Sequence, residues 1–224
     1  MPAEVQQPAQ PAICVVHADA AIVVLDKPSG LLSVPGRGAD KQDCLSARVQ
    51  AEFADALVVH RLDMSTSGLI VMARGAAAQR TLSEAFANRA VTKRYEAIVH
   101  GEVDPAPDDW RVIDLPIAVD WPNRPLRVVN HDTGKPSLTR LQSLRFDTAR
   151  NASHVLLEPL TGRTHQLRLH LQAIGHPILG DALYAPPTVV AMAPRLLLHA
   201  CALGFNHPIS GVAMEFSLPA LASA

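Results

Sequence analysis

The sequence predicts an α+β fold with a mixed, largely antiparallel sheet. Three observations carry that prediction. Strand-like runs outnumber helical ones, they do not alternate with helices in a βαβ rhythm, and 224 residues at 48% apolar can bury a core without a disulfide or metal staple. Aromatic residues make up only 4% of the chain, so the core must be mainly aliphatic.

The elements follow in order. Residues 1–12, rich in Pro, Gln and Ala, read as a flexible tail, and 13–224 as a single domain. Ala21–Leu25 is a β-branched strand stopped by the turn Asp26–Gly30. Leu45, Val49 and Phe53 recur every fourth residue, which predicts a helix over Asp43–Phe53. A strand begins at Leu57–His60, breaks at the turn Asp63–Gly68 and resumes over Leu69–Ala73. Ala76–Arg89 reads as a helix and Arg94–His100 as a strand. Two proline-rich loops follow, Asp104–Asp109 and Trp121–Pro125. Leu126–Val129, Leu138–Leu144 and Val155–Leu160 read as strands, and Thr164–Ile174 as a helix ended by Gly175 and Pro177. Leu196–Phe205 and Val212–Phe216 close the sheet.

Several function classes lose ground at once. No apolar run is long enough to span a bilayer and no secretion signal opens the chain, so no membrane partner and a cytoplasmic location are expected. Cys14, Cys44 and Cys201 are few and far apart, which suits a reducing compartment and forms no zinc pattern. Neither GxGxxG nor GxxxxGK[ST] occurs, and Pro136 forbids the helix that a phosphate loop at Thr133–Lys135 would need. His165 and His170, five residues apart, do not share a helix face, so hydrogen-bonded histidines are expected rather than metal ligands. Charge is segregated: 61–100 carries +3, 101–122 carries −5 and 123–170 carries +5. Two basic blocks on a nearly neutral chain suggest a cationic cleft for a polyanion, although a charge run is more often a solvated face.

Two segments stand out. His60-Arg61-Leu62-Asp63-Met64-Ser65-Thr66-Ser67-Gly68 sets an arginine and an aspartate two apart, on one face if the strand persists, before a hydroxyl-rich turn. Spacing alone would make Asp63 a backbone cap. Thr161-Gly162-Arg163-Thr164-His165-Gln166-Leu167-Arg168-Leu169-His170 crowds cations and imidazoles at a helix start, where an amphipathic surface helix is the plainer reading. Lys93-Arg94-Tyr95 opens a strand with one of two tyrosines.

Together, HRLDMSTSG at 60–68 and GRTHQLRLHL at 162–171 resemble the signature pair of the RluA-type pseudouridine synthases. Asp26–Leu31, Lys93–Tyr95, Gly175–Asp181 and Arg195–Ala200 match the flanking motifs in order. Asp120–Pro125 and Thr133–Pro136 are similar to the founding subgroup. The resemblance implies the catalytic fold of that family, with helices and loops around a central cleft, and no S4 RNA-binding domain. It implies isomerisation of uridine in RNA without cofactor or metal. Asp63 is then the nucleophile, Arg163 its basic partner and Tyr95 the ring against the uracil. Leu167 supplies an apolar wall, and Arg61 fills the gap left by a flipped base. His60, Thr66 and Arg168 complete the substrate-binding set. The expected partners are the tRNA anticodon stem-loop, at uridine 32, and 23S ribosomal RNA, at uridine 746. No DNA is expected, and the enzyme is expected to act as a monomer. The rival readings are a non-catalytic RNA-binding module on the same scaffold, or a hydrolase using Ser65 or Ser67. A binding module needs no nucleophile, and no GxSxG elbow supports a hydrolase.

Overall fold

A computed structural model describes residues 13–104 and 110–221; the expected tail at 1–12 and most of the Asp104–Asp109 loop lie outside the described residues. The strands are β1 Cys14–Ala18, β2 Ile22–Lys27, β3 Ala56–Val58, β4 Ser67–Arg74, β5 Thr92–His100, β6 Arg111–Asp114, β7 Ile117–Val119, β8 Arg127–Val129, β9 Leu138–Asp147, β10 Ala152–Pro159, β11 Leu198–Asn206 and β12 Ala213–Ser217. The helices are α1 Leu45–Glu52, α2 Ala76–Ala87, α3 Gln166–Ala173 and α4 Pro187–Val190. Among the described residues one sheet runs β1-β2-β4-β11-β5-β10-β9-β6, with β3 beside β4 and β12 beside β11; β7 and β8 form a separate hairpin. Every pairing is antiparallel except β4 with β11. The fold is the α+β arrangement expected from the sequence.

The apolar runs of β2 and β4 are continuous because both faces of the sheet are covered there. Alternate residues face opposite sides. Ile22, Val24, Leu69 and Val71 pack with Ala78 and Leu82 of α2. Val23, Leu25, Ile70 and Met72 pack with Leu45 and Val49 of α1. A third apolar cluster joins β5, β10 and β11 to Leu167 and Leu171 of α3 and Val189 of α4.

Three differences from the sequence reading have physical causes. β1 and β6 are edge strands with mostly exposed side chains, so hydrogen bonding rather than burial defines them and no apolar signal marks them. The strand predicted at Leu57–His60 is only β3, and residues 59–66 form a loop instead of carrying Arg61 and Asp63 along one strand face. The helix predicted at Thr164–Ile174 starts at Gln166, because His165 adopts the left-handed conformation (φ 58°).

Candidate active site

A cleft of about 830 Å³ lies where the 59–66 loop, the start of β5 and the 161–165 loop meet. His60, Arg61, Asp63, Thr66, Tyr95, Arg163, Leu167 and Arg168 all line it. Tertiary structure thus gathers into one hollow every site residue named from sequence.

The Asp63 loop is held rigidly by the 27–33 segment. Lys27 is fully buried, and its Nζ donates to the carbonyls of Pro28 (2.8 Å), Leu31 (2.7 Å) and Met64 (3.0 Å). Ser29 Oγ donates to Ser65 O (2.7 Å), Gly30 N to Met64 O (2.8 Å) and Ser33 Oγ to Leu62 O (2.7 Å). The Asp26–Leu31 motif is therefore a clamp on the Asp63 loop. On the other side, Gly68 (φ 111°) lets β4 pass against the backbone of Ala200, where a Cβ would collide with the Ala200 carbonyl.

Burial pushes the Lys27 ammonium down to about 8, against the pull of Asp63 and Asp26. Lys27→Met is expected to leave three carbonyls without their donor and cost about 1–3 kcal/mol in stability. In the folded protein the proton leaves near 8 and in the unfolded chain near 10.5. Between those values the unfolded chain binds more protons, so the stability of the wild type should rise with pH relative to Lys27→Met. Chemical denaturation of both proteins across that range checks the sign; a falling difference would contradict it.

The Asp63 side chain is 28% exposed and faces Arg168 Nη1 at 3.8 Å and His165 Nε2 at 3.9 Å. Arg168 is held in turn by Asp181, 1% exposed, which accepts from Arg168 Nε (2.8 Å) and Nη2. The expected contact between Arg163 and Asp63 is not made. Arg163 stands exposed in the loop before α3, where Gln166 Oε1 holds its backbone N–H (3.0 Å). Arg168 lies on the buried face of that helix and so reaches inward.

His165 belongs to the same cluster. The Tyr184 hydroxyl accepts the Arg127 backbone N–H (3.0 Å) and shares a second hydrogen bond with His165 Nδ1 (2.8 Å). Burial holds the His165 imidazole below its ordinary pKa, against the pull of Asp63, and its Nε2 faces that carboxylate. The sequence assigns His165, Tyr184, Asp181 and Lys27 no place in the site, although His165 is expected to be hydrogen-bonded. The density of polar groups in 162–170 and the matches at Asp26–Leu31 and Gly175–Asp181 are the signals that point to three of them.

The other lining residues divide by chemistry. Burial, with the Asp63 charge adding, pushes the Tyr95 phenol well above its usual value, so it stays protonated and offers a ring and a hydroxyl. Leu167 is 7% exposed and forms an apolar wall. His60 stacks on Phe86 (4.3 Å) and its Nε2 accepts from Val71 N (3.1 Å); burial drives it down to about 3, so it stays neutral. Thr66 is buried beneath the turn, its N–H bonded to Asp63 O (3.1 Å). Arg61, Arg89 and Lys93 border the cleft and, among the described residues, form no ion pair with a carboxylate. Among the described residues no cluster of three could hold a metal ion, and His170 bonds at both nitrogens, to Thr139 Oγ1 and Leu115 O (3.0 Å each). No helix among the described residues is long and apolar enough to cross a membrane.

A half-buried carboxylate on a fastened loop, a protonated phenol and unpaired cations in one cleft suit attack on a polyanionic substrate. A family profile described as RNA pseudouridylate synthase matches residues 21–173, and the chain belongs to this family, in its RluA branch; it is an isomerase acting on RNA. The chain is 48% identical over 213 residues to the dual-specificity RNA pseudouridine synthase RluA of Escherichia coli (strain K12), covering 95% of each. It is 46% identical to the RluA of Pasteurella multocida, again over 95% of each chain. Among solved structures, human RNA pseudouridylate synthase domain containing 1 superposes with a TM-score of 0.77 at 29% identity, covering 96% of this chain and 86% of that one. Human RNA pseudouridylate synthase domain containing 4 gives 0.74 at 25% identity, covering 93% and 89%.

Proposed function

We propose that the chain modifies two kinds of structured RNA, at uridine 32 of a tRNA anticodon stem-loop and uridine 746 of 23S ribosomal RNA. Asp63 acts as nucleophile on the flipped-out base. The observation that carries this reading is the placement of Asp63 on a clamped loop inside a cleft bordered by unpaired cations. The dual-specificity name of relatives similar over nearly their whole length supports the pair of targets.

The reaction breaks the N1–C1′ bond, turns the uracil in place and joins C5 to C1′, while the C5 proton is lost and N1 gains one. Substrate and product contain the same atoms, so the chemistry consumes no redox equivalent and no energy source. Attack at C1′, attack at C6 and removal of the C2′ proton all require a carboxylate at the Asp63 position. Arg168 and His165 orient that carboxylate. Tyr95 lies against the uracil, and Leu167 and His60 wall the base in. Thr66 shapes the turn beneath it. Arg163, on the rim, meets the RNA backbone as it enters. Residues 13–224 act as one catalytic unit, a monomer in the cytoplasm.

Incubating the protein with unmodified tRNA and ribosomal RNA fragments, without additives, and mapping pseudouridine tests the proposal. Product in only one RNA class would remove the dual specificity; none in either would remove the activity.

Arg61 is exposed at the cleft edge, free to enter the space that a flipped uridine leaves. Extruding a stacked base costs a few kcal/mol, which a planar cation stacking in the gap offsets in part. Arg61→Ala should slow single-turnover modification of a folded stem-loop far more than that of a short RNA whose uridine is already extrahelical. Equal slowing at saturating enzyme would leave Arg61 a phosphate contact only.

A further inference from the structure

A second hollow, of about 760 Å³, lies under the β7–β8 hairpin, and residues 162–164 line both it and the catalytic cleft. Trp121, Arg127, Lys135 and Arg163 border it. Trp121 is 67% exposed at the hairpin tip, with the Arg124 guanidinium 4.5 Å over one face of its ring. An indole left this open contributes little to a core, yet its flat apolar face is a large binding resource.

Charge in this region is equally uncommitted. Arg48, Arg74, Arg94, Arg111, Arg140 and Arg168 each pair with a carboxylate. Among the described residues Arg124, Arg127, Lys135 and Arg163 form no such pair. The carboxylate bordering the hollow, Asp120, is occupied by Asn123, whose Nδ2 lies 3.2 and 3.1 Å from its two oxygens. The hairpin is also fixed relative to the cleft, because the Tyr184 hydroxyl bonds both the Arg127 N–H and His165, which faces Asp63.

We propose that this hollow is a second RNA subsite, taking unpaired nucleotides that flank the target uridine, with a base on Trp121 and phosphates on Arg127, Lys135 and Arg163. The proposal rests on the Asp63 cleft being the uridine site. Guanidinium and ammonium groups beside an exposed aromatic face are what single-stranded nucleic acid needs: stacking for the base and positive charge for the backbone. Since residues 162–164 separate the hollows, a strand leaving the cleft over Arg163 arrives at Trp121. An acidic protein surface would satisfy the cations and leave the indole unused.

The protein has two tryptophans, Trp110 and Trp121, so Trp110→Phe makes Trp121 the sole indole reporter. In the Asp63→Asn background, which stops turnover, titration with a stem-loop whose target uridine is flanked by unpaired loop nucleotides should quench Trp121 strongly. A stem-loop trimmed of those bases, with abasic residues in their place, should bind without that quenching. With Asp63 intact, Trp121→Ala should weaken binding of the flanked RNA about tenfold. It should leave the trimmed RNA and the single-turnover rate at saturating enzyme unchanged, and Trp121→Phe should restore most of the affinity. Binding of flanked RNA without a change in Trp121 emission, or equal weakening for both RNAs, would overturn the subsite. The two readings fail separately. Pseudouridine formed by the protein with Asp63 intact, while Trp121 emission stays constant on binding, sinks the subsite alone, whereas flank-dependent quenching without any pseudouridine from the protein with Asp63 intact sinks the chemistry alone.

Discussion

Asp63→Asn is expected to lower single-turnover pseudouridine formation by on the order of 10⁴-fold or more, with RNA affinity nearly unchanged. An amide keeps the shape and the cleft contacts but cannot add to carbon or take a proton. The fold should hardly notice. The side chain is 28% exposed, and its two ion-pair contacts are long, at 3.8 and 3.9 Å. Contacts of that kind contribute about 0–1 kcal/mol. The loop itself is fastened by backbone carbonyls to Lys27, Ser29 and Ser33, which the substitution leaves alone. Melting temperature and RNA binding serve as controls beside the rate. Turnover within tenfold of the wild type would remove Asp63 from the chemistry.

Arg168→Met should have the largest effect on stability. It strands Asp181, a 1% exposed carboxylate that depends on the guanidinium fork. Breaking a buried pair in this way typically costs about 3–5 kcal/mol. For a chain of this size that is a fall in melting temperature of roughly 6–20 °C. Asp181→Asn in the same chain should recover part of the loss, because the stranded charge is gone. Additive melting shifts across the double-mutant cycle would mean that the pair is not coupled. Arg168→Lys separates charge from geometry. It keeps a cation near Asp63 but loses the planar fork, so it should fold better than the Met variant and still lose activity as Asp63 is less well oriented. Arg163→Met, by contrast, should leave the melting temperature nearly unchanged, since Arg163 is exposed and contacts neither carboxylate.

The contrast between those two arginines shows where sequence reading stops. Residue 163 follows a glycine in a motif that can be matched letter by letter, and the match alone suggested that it pairs with Asp63. Which guanidinium reaches the carboxylate depends on where α3 begins, and that depends on the left-handed turn at His165, which no periodicity displays. The same limit applies to the Asp26–Leu31 segment. It was legible as a strand and a turn, but its lysine became a clamp only when a loop 37 residues further on folded over its ammonium.

What the sequence determined by itself is what local pattern and composition encode. The continuous apolar runs of β2 and β4 demand cover on both faces. The four-residue spacing of Leu45 and Val49 gives one helix of that cover, and the absence of strand–helix alternation makes the sheet mostly antiparallel. The two signature segments and the Lys93–Tyr95 match further identify the residues that gather in the cleft. Only the tertiary structure decided the edge strands, the single parallel pairing at Gly68 and Ala200, the Arg168–Asp181 support of Asp63 and the hollow under the hairpin. Each of these depends on a contact between residues far apart in the chain. Such contacts arise from the closing of the sheet, through the energy of burial and of satisfying buried polar groups, and neither quantity exists for a segment until its partners have arrived.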